Sequence, residues 1–328
     1  MKFLYERKSV ALFITTLLCF LFLIGCTKTA QGDDVKNDNT AFSVNFIDLN
    51  GEDCTFIHFP DGKNVLIDCG QNKQFNKDVI SAFLTEKVVD TIDLFLISSP
   101  LEDSLGSAEY VLENFTVKKV LIPFIEDVEN YPLFYSLNQK LNEMQIETDY
   151  TEALKGINGE GYRFTILAPK SRYIKGSPYQ ALVNNPSPTT REMKNVSPSV
   201  YIEYKGVRFL LLGSAEANEE SKLINSYYGG FYGGSKGNIN LSEIDFLKCA
   251  DHGSSQSNSE ALLSLVKPKN AIFSVGQSVD SAYPSSAVLS RIISASTGCK
   301  IVRTDVSGTY VVKVTKSGKV FTFDQIQN

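Results

Sequence analysis

Chemistry has few places to reside in this chain of 328 residues. It carries two histidines, His58 and His252. The first falls in the alternation Phe56, Ile57, His58, Phe59, which reads as a strand with His58 turned toward solvent. The second sits in Asp251-His252-Gly253-Ser254. A further polar loop, Ser98-Ser99-Pro100-Leu101-Glu102-Asp103-Ser104-Leu105-Gly106, follows the apolar run from Leu94 to Ile97. Asp103, Asp251 and His252 bring two carboxylates and an imidazole to these two loops. With Glu102 they offer the oxygen-rich set that suits Mn²⁺ or Mg²⁺. A two-zinc centre needs several imidazoles and carboxylates converging at ~2.0–2.2 Å, and the serines and leucine of these loops do not supply them. A metal-free alternative uses His252 as general base for Ser99, Ser104 or Ser214, with an acid orienting the ring; no G-x-S-x-G elbow accompanies it. Structural readings stand beside these. His252 can be a hydrogen-bonded residue that orders its loop, and Asp103 can cap a helix beginning near Gly106, where a carboxylate is favoured. Asp68, at a strand end, is expected to accept backbone donors.

The elements that must position these residues alternate along the chain. Apolar, β-branched segments predict strands at 43–48, 54–59, 64–68, 94–98, 120–123, 163–167, 200–204, 208–213, 244–249, 271–275, 300–304, 310–314 and 320–323. Helical spacing marks 76–88, 106–115, 133–144, 217–226, 259–266 and 285–296, as where Leu105, Ala108, Leu112 and Phe115 share a face. Hairpins alternating with helices in two successive halves predict an α/β protein of helix-covered sheets rather than a β-barrel. Residues 171–198, rich in Pro, Ser and Asn, read as one long loop. The Gly/aromatic tract 227–234 reads as a second, whose rings either pack on the domain or stack on a ligand.

The N-terminus is expected to be a lipoprotein signal. Lys2, Arg7 and Lys8 precede an apolar run over 10–24, the length of a signal h-region rather than of a membrane span. Leu23-Ile24-Gly25-Cys26 then matches a lipobox, which makes Cys26 the lipidated first residue of the mature protein. Two acyl chains are enough for stable anchoring, so residues 1–25 are the signal, 26–41 a polar tether and 42–324 a folded domain outside the cytoplasm. Removing residues 1–25 takes away Lys2, Arg7, Lys8 and Glu6 and leaves 29 basic against 36 acidic residues, a net charge of −7. That balance disfavours sequence-independent grip on nucleic acid. With Cys19 in the signal and Cys26 lipidated, Cys54, Cys69, Cys249 and Cys299 remain, without C-x-x-C spacing. Counting outward from a turn at Asp61-Gly62 pairs Cys54 with Cys69, either as a bridge or as two small buried residues.

Seven segments, in order, carry a family resemblance. Val44 to Cys54 is similar to V-x-F-x-D-V-G-Q-G-D-A, and Pro60 to Gly70 to P-D-G-x-x-x-L-I-D-G-G. Asp93 to Ser98 precedes the polar loop as I-D-x-L-x-L-T does, and Tyr204 to Glu216 is similar to Y-x-x-x-x-F-L-L-T-G-D-x-E. Asp251 to Ser254, Val266 to Gly276 and Arg303 to Thr309 complete the set. The chain thereby resembles the metallo-β-lactamase-fold domain of ComEC-type DNA-uptake proteins over residues 43 to about 314. The resemblance implies a four-layer αββα sandwich with its site where the loops 99–104, 213–216, 251–254 and 281–285 converge. It also implies where ligands have been lost. Ser99, Leu101 and Ser104 stand at ligand positions of the T-H-x-D-x-D-H loop, of which Asp103 is kept. Ser214 stands for the bridging carboxylate, Asp251-His252 for H-H, and Tyr283-Pro284-Ser285 for the later H-P-H-P, so the resemblance leaves Asp103, Asp251 and His252 as the candidate metal ligands and candidate catalytic groups. The expectation is a lipid-anchored, non-catalytic protein that binds a ligand or envelope partner, with no cofactor. The alternative is a phosphodiesterase- or nuclease-like hydrolase holding Zn, Mn or Mg on a reduced Asp/His set. Nucleic acid enters as a partner by family analogy alone.

Overall fold

A computed structural model describes residues 42–126, 128–173, 175–227, 239–277 and 282–325. Residues 1–41, with the expected signal, tether and Cys26, lie outside the described residues, as do most of the 227–234 tract and Ser281.

The first half opens with β1 (Phe42–Phe46), β2 (Thr55–His58) and β3 (Asn64–Ile67), antiparallel neighbours in the order written. The β2–β3 hairpin closes over three residues. Phe59 N–H donates to Lys63 O and Gly62 N–H to Phe59 O, both at 2.9 Å, and Gly62 takes φ 86°, the left-handed position such loops require. Helix α1 (Gln74–Glu86) returns the chain to β5 (Leu94–Leu96), parallel to β3. A small pair, β4 (Thr91–Ile92) with β6 (Thr116–Val117), flanks the crossover. Helices α2 (Glu102–Leu105) and α3 (Ala108–Asn114) lead to β7 (Lys119–Ile122), and α4 (Pro132–Glu143) to β8 (Glu147–Tyr150), both strands parallel to their inner neighbours.

The second half mirrors this plan. β9 (Gly156–Gly159), β10 (Tyr162–Ala168), β11 (Ser199–Tyr204) and β12 (Val207–Leu212) are antiparallel. Between β10 and β11 lies α5 (Thr190–Asn195). Then α6 (Ala217–Tyr227), β13 (Phe246–Lys248), α7 (Glu260–Val266), β14 (Asn270–Phe273), α8 (Ser286–Ala295) and β15 (Lys300–Arg303) add parallel strands. After α9 (Thr304–Ser307), β16 (Thr309–Val314) and β17 (Val320–Gln325) rejoin the first sheet beside β1. Among the described residues the sheet orders are β17-β16-β1-β2-β3-β5-β7-β8 and β15-β14-β13-β12-β11-β10-β9.

Alternation along the strands divides the apolar residues into three clusters. Phe42, Val44, Phe59 and Leu96 of the first sheet meet Phe164, Ile202, Phe209 and Phe246 of the second. Phe59 stacks on Tyr162 and Phe209 on Phe246, with centroids 4.3 and 4.9 Å apart, contacts worth about 0.5–1.5 kcal/mol each beyond their buried area. The opposite face of the first sheet buries Phe83 and Leu84 of α1, Val111 of α3, and Phe134, Leu137 and Leu141 of α4. The opposite face of the second buries Leu223, Leu262, Leu263, Val288 and Ile292 of α6, α7 and α8. Helix, sheet, sheet, helix is the four-layer sandwich expected.

Two local expectations are corrected. The hairpin is centred on Asp61 and pairs Thr55 with Ile67, so continuing its register sets Cys54 opposite Asp68, not Cys69; both thiols are buried and free. The segment 171–198 is not one unstructured loop but carries α5, closed by a capping box: Thr189 Oγ1 accepts from Glu192 N–H and Glu192 accepts from Thr189 N–H. The helix expected at 106–115 is present as α3, Ala108–Asn114, with the short α2 as an additional turn before it.

Candidate functional site

The candidate residues lie at the carboxyl ends of parallel strands, where an open α/β sheet leaves its loops free to converge. Past β3, Asp68 takes φ 57° and its Oδ1 accepts the Ser98 N–H at 2.7 Å, which ties the ends of β3 and β5 together. Ser99 Oγ and Ser104 Oγ bond each other at 2.8 Å, with Ser98 Oγ 3.2 Å from Ser104 Oγ. The three hydroxyls therefore satisfy one another within the loop. Asp103 falls inside α2 and caps neither helix: α3 begins after Ser107 without a side-chain cap, and Asp103 Oδ1 is buried with no hydrogen-bond partner.

On the second sheet, β13 ends in Lys248, and the turn Ala250–Gly253 follows. Asp251 and His252 adopt φ 47° and 55°, strained for non-glycine residues and expected where the surroundings over-determine a site. Asp251 N–H donates to Gly213 O at 3.0 Å and Ser285 N–H to Gly253 O at 3.0 Å, so three of the four loops are bonded to one another. Gly253 has φ 87°, and a Cβ there would lie 2.6 Å from Pro284 and 2.7 Å from Phe273. The Asn258 side chain donates to Ala250 O and accepts from Ala250 N–H, both at 2.9 Å. Buried Glu220 accepts from the Asn258 and Ser259 amides, and Arg291 donates to the carbonyls of Ser255, Ser257 and Asn258. His252 Nδ1 lies 2.8 Å from Ser274 O. A carbonyl only accepts, so Nδ1 carries a proton and donates it to Ser274 O. Nδ1 is also 3.9 Å from Asp53 Oδ1, too far for a second hydrogen bond.

Two lysines enter among these groups. Lys248 Nζ donates to Asp53 Oδ2 at 2.8 Å with both side chains buried, and Lys194 Nζ, carried in on α5, donates to Asp251 Oδ1 at 2.6 Å. Arg191 of the same helix pairs with Glu216 at 2.7 Å. Burial works to raise the Asp53 pKa, but the Lys248 ammonium and the His252 ring outweigh it and hold the carboxyl below its ordinary value. For Asp68 burial wins and drives the carboxyl well above the ordinary range, despite the hydrogen bond from Ser98. Burial also raises Asp103, against the pull of His252 and Lys194 and with a further push from Asp53 and Asp251. Those interactions join Asp103 to the second-sheet cluster. Beneath it, Asp53, Asp68, Ser98 and Lys248 border a cavity of about 20 Å³ that also touches Pro198, Val200 and Leu211, room for about one water.

These donors do not fit the dizinc centre of the fold family. Asp251 is engaged by Lys194, Asp53 by Lys248, and Ser99 and Ser104 by each other. Among the described residues no three His, Cys, Asp or Glu side chains form a ligand group. Asp103, Asp251 and His252 thus share one electrostatic cluster, whereas Glu102 is exposed and His58, half-buried, bonds Asn64 at 2.8 Å far along its strand. Sequence reasoning missed Lys194 and Lys248. The T-x-x-E signature Thr189–Glu192 could have announced the helix that carries Lys194, whereas nothing local marks Lys248 as a counterion.

Two facing mixed sheets with helices outside, and a loop cluster at the strand ends, make this a metallo-β-lactamase-fold domain with a degenerate ligand set. Over 311 residues the chain is 24% identical to ComE operon protein 3 of Bacillus subtilis (strain 168), the match covering 90% of this chain and 34% of that protein. The chain therefore spans about a third of the length of that curated relative. No family model matches it. Among solved structures, a CmlA beta-hydroxylase E377D mutant is 11% identical with a TM-score of 0.47, covering 83% of this chain and 54% of that one. A metallo-beta-lactamase HARLDQ motif mutant from Cronobacter sakazakii is 10% identical with a TM-score of 0.33, covering 62% and 75%. Neither likeness bears on what this chain does.

Proposed function

We propose that this ComEC-like domain is non-catalytic, is tethered outside the cytoplasm through a lipidated Cys26, and serves by binding a ligand or an envelope protein. The observation that carries the reading is the Lys194–Asp251 ion pair at 2.6 Å. An ammonium bonded to the carboxylate at a ligand position repels a divalent cation and occupies the lone pairs that would bind it. Hydrolysis in this fold needs a bound ion to lower the pKa of its water to ~7, and the remaining residues provide no substitute. Fold alone fixes no activity, so nucleic acid stays a partner by analogy with the relative, against the net charge of −7.

A metal-dependent hydrolase on Asp103, Asp251 and His252 is the second reading. It is favoured by the unpartnered Asp103 Oδ1 and by the His252 Nδ1–H to Ser274 carbonyl bond, since metal-binding histidines are commonly oriented in this way. Elemental analysis of the dialysed protein, beside a phosphodiesterase assay with added Mn²⁺ and Zn²⁺, separates the two. The expected result is no stoichiometric metal and no turnover. Tightly held ions with activity abolished by His252→Ala would install the hydrolase instead.

A further inference from the structure

We infer that the ammonium groups of Lys194 and Lys248 are the resident cations of this cluster, standing in electrostatically for metal, so that the site is complete in the folded chain without any ion. The inference rests on the non-catalytic reading and deepens it.

The charges support it pair by pair. Asp53, Asp68, Asp103 and Asp251 are four carboxylates gathered at the ends of two facing sheets, an assembly that repels itself unless cations are supplied. Lys248 leaves the end of β13 with 5% of its surface exposed and meets Asp53, which is 7% exposed. Such a pair is retained only if each charge answers the other, because removal of either leaves a buried ion uncompensated. Lys194 answers Asp251, itself 3% exposed, from α5. Its approach is prepared rather than incidental: the capping box at Thr189 and Glu192 starts α5, and the Arg191–Glu216 bridge pins that helix against the loop after β12. Asp251 is also the first of two consecutive left-handed residues, so the lysine holds a strained turn as well as a charge. Each paired carboxylate thus has its own ammonium within hydrogen-bond distance, at 2.6 Å for Asp251 and 2.8 Å for Asp53.

The test is thermal unfolding of the chain and its variants Lys194→Met, Asp251→Asn and the double variant, each in chelator and in millimolar Mn²⁺. The chain itself should unfold at the same temperature in both. Lys194→Met in chelator should unfold about 5 °C lower or more, the cost of stranding a buried carboxylate. The double variant, which keeps the shapes without the charges, should recover most of that loss. Mn²⁺, which is satisfied by one or two carboxylates and several waters, should raise the midpoint of Lys194→Met alone. Should Lys194→Met fail to fold, Lys248→Met with Asp53→Asn repeats the cycle at the second pair. Midpoint losses that simply add in the double variant, or a Lys194→Met protein indifferent to Mn²⁺, overturn the inference while leaving the non-catalytic reading standing. A parent chain that melts earlier in chelator sinks both together.

Discussion

Asp53 and Asp68 both lie at the end of one hairpin yet their carboxyls shift in opposite directions. Asp53 is held below its ordinary value, so its stabilising charge is present above pH 3.8 and lost as pH falls through its lower folded value. Asp68 is raised, so its contribution is complete below pH 3.8 and lost as pH rises through its folded value. Asp68→Asn keeps an oxygen for the Ser98 amide and removes that loss. The variant should gain stability relative to the parent on going from pH 5 to pH 8, measured by urea unfolding at both. A parent and variant whose difference does not change with pH would remove burial of a charged Asp68 from the account. The residue scale was only partly legible beforehand. Asp103, Asp251 and His252 could be named through the family resemblance, but ion pairing is a property of three-dimensional approach. Lys194 lies 57 residues from its partner.

At the scale of elements, the α5 helix is too short to persist through its own propensity and depends on its capping box. Thr189→Ala should cost about 1 kcal/mol and, by loosening α5, should also shrink the coupling between Lys194 and Asp251 in the double-variant cycle. An unchanged coupling would mean that the helix is placed by Arg191–Glu216 without the cap. The strongly apolar strands and the longer amphipathic helices could be read from the sequence because burial imposes their periods. β8 and β9 were not foreseen. Glu147–Tyr150 and Gly156–Gly159 are edge strands with exposed positions and no apolar alternation, and their pairing is specified by neighbours rather than by themselves. The hairpin register was misjudged by one residue because a three-residue loop and a two-residue turn can share the same Asp-Gly signal.

For the whole molecule, the same chain order yields two half-domains whose inner faces form one aromatic-rich core, and this was the most legible level. Seven motifs in sequence order specify a topology more firmly than any one of them specifies a loop. Among the described residues no helix is long and apolar enough to cross a membrane; the proposed attachment is through Cys26. Cys26→Ala should abolish incorporation of labelled fatty acid and leave the precursor unprocessed by the lipoprotein peptidase. Normal processing and lipid labelling of that variant would dismiss the anchor.

The pairing of Lys194 with Asp251 has a consequence for the mutational routes open to the chain. Restoring histidine at 251 by itself leaves the ammonium of Lys194 facing an imidazole, so the single step forfeits an ion pair and gains no ligand. Asp251→His should therefore lower the unfolding midpoint without conferring zinc uptake, and uptake should need Lys194 removed in the same molecule. If Asp251→His alone takes up zinc, the lysine is no barrier. If it does not, the way back to a metal site passes through a less stable intermediate, and the fold is held in its present state by a valley rather than by distance.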